Sequence, residues 1–193
     1  YVFRLPGWEH SKGACIESGI AVTLAIPIVD ADPAELAAET ARNGVPVPGL
    51  IAAFRKAMQA PEHAQYLHWG ATSQDIMDCA LMLLTRRAGA VVLADLTRAA
   101  DSAAHLARIH RATPMVARTL GQQALPTTFG LLASSWFTAL DAAAIRLEIV
   151  LSTLPVQFGG AAGTLAALYP DGLRIADALA DELGLARQVT PWH

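Results

Sequence analysis

Three short segments of the chain combine polar side chains with glycine, and each lies beside a long apolar repeat. The first covers residues 68–75 and reads His68-Trp69-Gly70-Ala71-Thr72-Ser73-Gln74-Asp75. Thr72 and Ser73 stand immediately before a long run of helical periodicity. Their hydroxyls and the free backbone N–H groups of the first helical turn would bind an anion such as a substrate carboxylate.

Simpler interpretations of this segment remain open. Thr72 and Ser73 would also serve as an ordinary helix N-cap, with Asp75 and Asp78 interacting favourably with the helix dipole. His68 carries an imidazole, a group that often acts as a general acid or base in enzymes. A single histidine in a loop is also compatible with a plain polar surface residue.

The second segment lies in the predicted loop Ala112–Leu125, which Pro114, Gly121 and Pro126 punctuate. Arg118 could bind a carboxylate through two parallel hydrogen bonds. Thr119, Gln122 and Gln123 add neutral donors beside it. The same residues would also fit a polar turn between two helices.

The third segment, Gln157–Thr164, is rich in glycine. Glycines let the backbone approach a ligand closely, and consecutive N–H groups can form a concave site for an anion. No Gly-Lys-Ser/Thr follows, and no GxGxxG follows a strand, so this is neither a P-loop nor a dinucleotide site. A tight turn between packed helices is the alternative.

Long helices must position these segments. Apolar residues recur at helical spacing from Ile76 to Leu106, which predicts one helix of roughly 35 residues, about 50 Å long. A second long helix is predicted from about Pro126 to Thr153. Shorter helices are predicted over Asp32–Asn43, Gly49–Ala60 and Asp171–Leu183 from their caps and breakers. No stretch alternates as a strand would, so the predicted fold is all-α, with long, nearly antiparallel helices.

Composition and net charge exclude several classes of function for this chain. The 193 residues are 53% hydrophobic and 16% charged, with a net charge of −3. That charge gives no basic face for nucleic acid, and no run of about 18 apolar residues predicts a membrane span. Cys15 and Cys79 form neither a disulfide framework nor a metal motif, and the apolar stretch Ile20–Val29 is short. A cytoplasmic protein is predicted.

Low charge and abundant alanine also suggest faces covered by other subunits or by further chain, although a GC-rich genome would produce the same bias. The chain starts with Tyr1 and stops at Trp192-His193 without a terminating signal. We therefore expect an internal piece of a longer protein.

At the three segments the sequence resembles the fumarase/aspartase superfamily. His68 to Asp75 is similar to its first conserved region, in the form found in 3-carboxy-cis,cis-muconate cycloisomerases. Arg118-Thr119 through Gln122, followed by Pro126-Thr127-Thr128-Phe129-Gly130, resembles the second region. Gln157 to Ala166 resembles the segment after the second long helix. The resemblance extends from about Asp32 to the C-terminus.

The resemblance implies an elongated helical bundle and a homotetramer whose active sites combine loops from three chains. In that scheme residues 1–75 form a partial N-terminal helical region, and residues 76–193 belong to the central long-helix domain. The substrate is a small carboxylate, and neither metal nor organic cofactor is needed. A substrate carboxylate attacks a double bond, and the adjacent carbon is then protonated, which yields 4-carboxymuconolactone in protocatechuate breakdown. The implied carboxylate-binding residues are Thr72, Ser73, Arg118, Thr119 and Gln122, with Gln157 near the site and His68 available for proton transfer.

Two departures from the family pattern keep alternatives open. Many members carry a histidine in the second region, where this chain has Leu120 and Gln123. The flexible Gly-Ser-Ser…Lys loop of relatives does not occur in the 193 residues, so we expect them to be inactive alone. Adenylosuccinate lyase, or another lyase that releases fumarate, is the alternative enzyme. A non-catalytic helical assembly protein derived from this family is the other alternative.

Overall fold

A computed structural model describes residues 2–4, 28–30, 32–57 and 64–192. Cys15 and most of Ile20–Val29 lie outside these residues. The chain divides into two compact units. The first comprises Tyr1–Asp78, Gln157–Ile175 and Val189–His193, and the second comprises Cys79–Val156 and Ala176–Gln188. The predicted division at residue 75 into two domains stays a prediction.

The first unit opens with a short parallel strand pair, β1 (Val2–Arg4) and β2 (Ile28–Asp30). Helix α1 (Pro33–Asn43) follows with the predicted caps. The Asp32 side chain accepts a hydrogen bond from the Ala34 N–H at 2.9 Å. Gly44 ends the helix in the left-handed conformation, at φ 75°. This pairing of Asp at the start and Gly at the end confirms the capping argument.

Helix α2 (Val47–Ala57) begins two residues before the predicted start. The predicted start at Gly49 left Pro48 outside the helix, whereas the structure places it in the first helical turn. Proline is tolerated there because first-turn N–H groups have no acceptor within the helix. The predicted continuation to Ala60 lies outside the described residues.

The long helix α3 (Ser73–Ile109) has 37 residues, which corresponds to about 55 Å. It confirms the prediction from apolar spacing. Helix α4 (Phe129–Ser152) follows later in the chain, and its N-cap Thr128 accepts a hydrogen bond from the Leu131 N–H at 3.2 Å.

Two glycines show that α3 and α4 run antiparallel and close together in the second unit. A Cβ added to Gly130, at the start of α4, would lie 2.5 Å from Arg111 Cα, just past the end of α3. A Cβ added to Gly89, within α3, would lie 2.3 Å from the Leu151 side chain near the end of α4. Glycine therefore allows these helices to approach closely, and their antiparallel arrangement agrees with the prediction.

The segment between the two long helices is a β-hairpin, so its prediction as a loop was wrong. Strands β3 (Pro114–Thr119) and β4 (Gln122–Thr128) pair antiparallel, with Thr119 opposite Gln122. The register shifts between Val116 and Arg118, where two β4 residues lie opposite Ala117. Pro114, Pro126 and this bulge remove the alternation by which a strand is recognised. Prolines are tolerated in a two-stranded ribbon because each strand has an unpaired edge.

A short 3-10 helix, Ala166–Leu168, precedes helix α5 (Gly172–Leu183). In the second unit, Val156, Ala180, Cys79 and Leu185 form a buried cluster. Backbone hydrogen bonds of 2.8 Å join Val156 N–H to the Ala186 carbonyl and Ala186 N–H to the Leu154 carbonyl. These contacts fix the point at which the chain leaves α4 for the glycine-rich segment.

Helices dominate the described residues, which confirms the helical fold class apart from the two strand pairs. None of the helices there is both long and apolar enough to cross a bilayer. Large apolar side chains of α3 and α4 stay exposed in the second unit, including Leu84, Val91, Leu131, Ile145 and Ile149.

Candidate active site

The centre of the candidate site is a buried carboxylate, Asp75, which is only 1% exposed. Its Oδ1 accepts hydrogen bonds from Gln157 Nε2 at 3.1 Å and from the Gly159 N–H at 2.9 Å. Its Oδ2 accepts from the Thr72 N–H at 2.9 Å and from the Gly160 N–H at 3.0 Å. Four N–H donors therefore surround one internal anion.

The position of Asp75 in α3 explains why it lies there. Thr72 precedes the helix and Asp75 is its third residue, so the carboxylate reaches back to the Thr72 N–H as in a capping box. A negative charge in the first turn also interacts favourably with the helix dipole. The N-cap interpretation therefore explains part of the geometry of this segment. Asp75 also accepts hydrogen bonds from the glycine-rich segment, more than 80 residues later in the chain.

Glycines let the first and third segments meet. Gly160 has φ 71°, and a Cβ there would lie 2.7 Å from the Gly70 carbonyl oxygen. Gly70 has φ 72°, and its Cβ would lie 2.4 Å from Leu168 Cγ. A side chain at Gly160 would push the two backbones apart, and one at Gly70 would displace the Leu168 side chain, so both glycines serve close approach as well as turn geometry.

Gln157 is fully buried, and both ends of its amide are engaged. Its Nε2 donates to Asp75, and its Oε1 accepts from the Trp192 N–H at 3.1 Å. Such an amide orients its neighbours. A direct contact of Gln157 with substrate stays a prediction.

Thr72 and Ser73 lie at the start of α3, where both are partly exposed. Neither hydroxyl makes a hydrogen bond to any residue that the structure describes. Because Asp75 already occupies the N–H groups of Thr72, Gly159 and Gly160, the two hydroxyls are the side-chain groups of this turn that remain free for a ligand.

His68 occupies a left-handed backbone conformation, with φ 67°, and its Nε2 is buried without a hydrogen-bond partner in the described part of the chain. It lines a cavity of about 280 Å³ together with Arg55. The Arg55 guanidinium donates to the Ala64 and Leu67 carbonyls at 3.2 and 2.8 Å. The turn that leads to His68 is therefore attached to α2 by an arginine.

The second segment belongs to the second unit, which is described by itself. Arg118 and Thr119 end β3, Gln122 begins β4, and all three are exposed. Arg118 makes no ion pair with any described residue. It also lines a cavity of about 630 Å³ beside α4, whose other walls include Leu131, Ser134, Ser135 and Thr138.

Asp75 was predicted only as a residue that interacts with the helix dipole, and Trp192 was not predicted. The Thr72-x-x-Asp75 spacing is a capping-box signal that could have indicated an inward carboxylate. Trp192 offered no local signal, because its indole N–H donates to Asp78 across 114 positions of the chain, at 2.8 Å. In the described ranges, no three His, Cys, Asp or Glu side chains are placed to hold a metal ion.

The sequence profile and the relatives found by comparison with known proteins indicate the same family. The sequence profile of the lyase family matches residues 32–192. A nitrosuccinate lyase of Streptomyces davaonensis is 45% identical over 170 residues, which cover 82% of this chain and 35% of that protein. A 3-carboxy-cis,cis-muconate cycloisomerase of Bradyrhizobium diazoefficiens is 49% identical over 162 residues, which cover 83% and 36%.

Solved structures agree with these relatives. A fumarate lyase from Mesorhizobium sp. BNC1 superposes with a TM-score of 0.76 at 42% identity, covering 82% of this chain and 37% of that one. A 3-carboxy-cis,cis-muconate lactonizing enzyme from Pseudomonas putida gives 0.76 at 40% identity, covering 84% and 38%. The chain thus spans little more than a third of the length of these relatives. The profile match and these relatives confirm the resemblance of the three segments: the chain belongs to the lyase family of the fumarase/aspartase superfamily.

Proposed function

We propose that the complete protein is a cycloisomerase that converts 3-carboxy-cis,cis-muconate into 4-carboxymuconolactone in protocatechuate catabolism. The observation that carries this proposal is the assembly of the first and third segments around Asp75, which leaves the Thr72 and Ser73 hydroxyls available at the helix start. Cycloisomerases of this name at 49%, 44% and 40% identity support the choice of substrate.

The proposed reaction is an isomerisation when substrate and product are both written as free acids. The carboxyl group that forms the lactone has already lost its proton to solvent, and one proton returns to carbon. A carboxylate oxygen of the substrate attacks the double bond and forms the lactone C–O bond. The electron pair moves onto the adjacent carbon, beside a second carboxylate, and that carbon then takes up a proton. The Thr72 and Ser73 hydroxyls would stabilise the negative charge on that carboxylate as it builds up, which lowers the barrier.

The remaining predicted site residues have supporting roles in the proposal. Arg118, Thr119 and Gln122 would bind the other substrate carboxylates, and the guanidinium suits a two-point contact with one of them. His68 is the candidate for proton transfer, since its buried Nε2 has no protein partner in the described residues. No step of this scheme needs a metal or an organic cofactor.

A homotetramer in the cytoplasm is part of the proposal. The exposed apolar side chains of α3 and α4 support self-association, because contiguous apolar surface is normally covered in a stable protein. In a tetramer, hairpins from other subunits would complete each site.

Elimination from nitrosuccinate is the second candidate, favoured by the 45% identity with the lyase of that name. Both substrates are small polycarboxylates, so the same Thr72 and Ser73 hydroxyls would serve either. Adenylosuccinate cleavage remains a more distant alternative.

Ultraviolet assays of the complete protein with each acid test the proposal. We expect turnover of 3-carboxy-cis,cis-muconate with a kcat/KM at least about tenfold higher than for nitrosuccinate or adenylosuccinate, because pocket contacts differing by about 1.4 kcal/mol give that ratio. Turnover of nitrosuccinate alone would replace the lactonising assignment with the second candidate. Turnover of none of the three acids would favour the non-catalytic assembly protein.

A further inference from the structure

Trp192 makes two hydrogen bonds with residues that precede it by 35 and 114 positions. Its backbone N–H donates to Gln157 Oε1 at 3.1 Å, and its indole Nε1–H donates to Asp78 Oδ2 at 2.8 Å. The acceptor Asp78 is a carboxylate, so the indole bond is charge-assisted and stronger than a neutral one. Both acceptors belong to the same compact unit as Trp192.

These bonds close a ring at the start of α3. Asp75 Oδ1 accepts from Gln157 Nε2 at 3.1 Å, Gln157 Oε1 accepts from Trp192, and Trp192 donates to Asp78. Asp75 and Asp78 are three residues apart on one helix, so they are neighbours on its surface. We call this path of hydrogen bonds, which closes through the backbone of α3 between Asp75 and Asp78, the Asp75–Trp192 ring.

The ring acts on the glycine-rich segment. Gln157 is one of its members, and the next two glycines donate their N–H groups to the same Asp75 carboxylate. Pro191, next to Trp192, lies against Gly159, where an added Cβ would be 2.8 Å from Pro191 Cβ. The segment at residues 189–192 therefore contacts the loop through a hydrogen bond and through packing.

We propose that Trp192 is a positioning residue, which holds residues 157–160 in place at the start of α3 through the Asp75–Trp192 ring. The side chain is 45% exposed. Because the ring is only partly buried, we attribute the positioning of residues 157–160 to the two N–H groups of Trp192 as well as to packing of its ring. The effect on the loop does not depend on which acid is turned over, whereas the effect on turnover rests on the proposed function.

The test uses the complete protein and four variants. Trp192→Phe keeps an aromatic ring but removes the indole N–H. Asp78→Ala removes its acceptor, whereas Asp78→Asn keeps one acceptor oxygen. Trp136→Phe is the matched control, because Trp136 is 44% exposed and its indole makes no hydrogen bond with a described residue.

Hydrogen–deuterium exchange of peptides covering residues 157–164 is the first readout. In Trp192→Phe and Asp78→Ala we expect exchange about three- to tenfold faster, the range for one lost hydrogen bond. Asp78→Asn should show a smaller change and Trp136→Phe none, and peptides of the hairpin should exchange unchanged in all four. Asp78→Ala also removes the hydrogen bond from Gln74 Nε2 to Asp78 Oδ1, at 2.8 Å. The double variant Trp192→Phe/Asp78→Ala should therefore match Asp78→Ala, since the Trp192–Asp78 bond is lost only once.

Steady-state kinetics is the second readout. We expect kcat to fall about tenfold in Trp192→Phe, with KM changed less than about twofold, because misplaced groups affect the transition state more than substrate binding. Unchanged exchange in both single variants, additive effects in the double variant, or faster exchange with an unaltered kcat would each overturn the proposal. If the wild-type protein turns over none of the acids, the proposed function fails, and the exchange rates still decide whether the ring holds the loop.

Discussion

Asp75 shows how a single buried charge can be stable inside a protein. The carboxylate is removed from water, but four N–H donors replace the lost hydration and the first turn of a helix adds a favourable dipole. The donors come from two segments far apart in sequence. The residue is therefore a structural anion, and an external carboxylate must bind beside it rather than in its place.

Replacing Asp75 by Asn should lower the melting temperature of the complete protein. The new amide would direct an NH₂ group toward two N–H donors, leaving buried donors unpaired at about 1–3 kcal/mol. Asp95→Asn is the control, because Asp95 lies on the same helix but is exposed and pairs only with nearby Arg98 among the described residues. Differential scanning calorimetry compares the two, and equal melting temperatures would show that the Asp75 network contributes nothing to stability.

At the residue scale the sequence predicted part of the site. Thr72 and Ser73 were predicted from residue type and position and Gln157 from the family resemblance, and the structure brings their segments together. Asp75 was read only as a helix-dipole residue, because a sequence does not show that a first-turn carboxylate faces a loop 82 residues later. Trp192 could not be found for the same reason.

The hairpin between α3 and α4 was not predicted from the sequence. Its connection, Leu120-Gly121, has φ values of 51° and 74°, so both residues are in the left-handed region, as in a type I′ turn. Gly121 suits that conformation, whereas the branched, fully exposed Leu120 does not. By contrast, the long helices were predictable, since apolar spacing and caps act locally and agree with the fold.

Leu120→Asn should stabilise the hairpin. Asparagine adopts the left-handed conformation more readily, and Asn-Gly is the preferred pair in this turn, so we expect a gain of about 0.5–1 kcal/mol. Leu125→Asn is the matched control, since Leu125 is 80% exposed but lies outside the turn, on β4. Thermal unfolding of both variants gives the answer, and a Leu120→Asn protein no more stable than the wild type would contradict the strain argument.

The whole molecule leaves apolar surface uncovered along its two long helices. Val91 is 64% exposed and Ile149 is 58% exposed, although both lie on elements that pack against each other elsewhere. The low content of charged residues also favours a surface that other subunits cover, because a small stable monomer normally carries more charged surface. In the proposed tetramer, other copies of the chain would cover this surface and would bring their hairpins to each site.

Light scattering of the complete protein should therefore give the mass of a tetramer. Val91→Asp would place a charge on the proposed contact and should shift the mass toward dimers or monomers, because an unpaired buried charge costs several kcal/mol. Thr97→Asp is the control, being exposed and polar on the same helix. A wild-type monomer at micromolar concentration would contradict the assembly, and with it the completion of each site by hairpins of other subunits.

The most direct test of the account is the effect of removing one hydroxyl at the start of α3. We predict that Ser73→Ala lowers kcat/KM for 3-carboxy-cis,cis-muconate by about 10²-fold, the usual effect of losing one donor to a developing anion. Its melting temperature should fall by less than about 2 °C, and Ser102→Ala, an exposed serine on the same helix, should change neither quantity. An undiminished rate in Ser73→Ala, or a loss of rate matched by an equal loss of folded protein, would contradict the claim that this turn binds the substrate carboxylate.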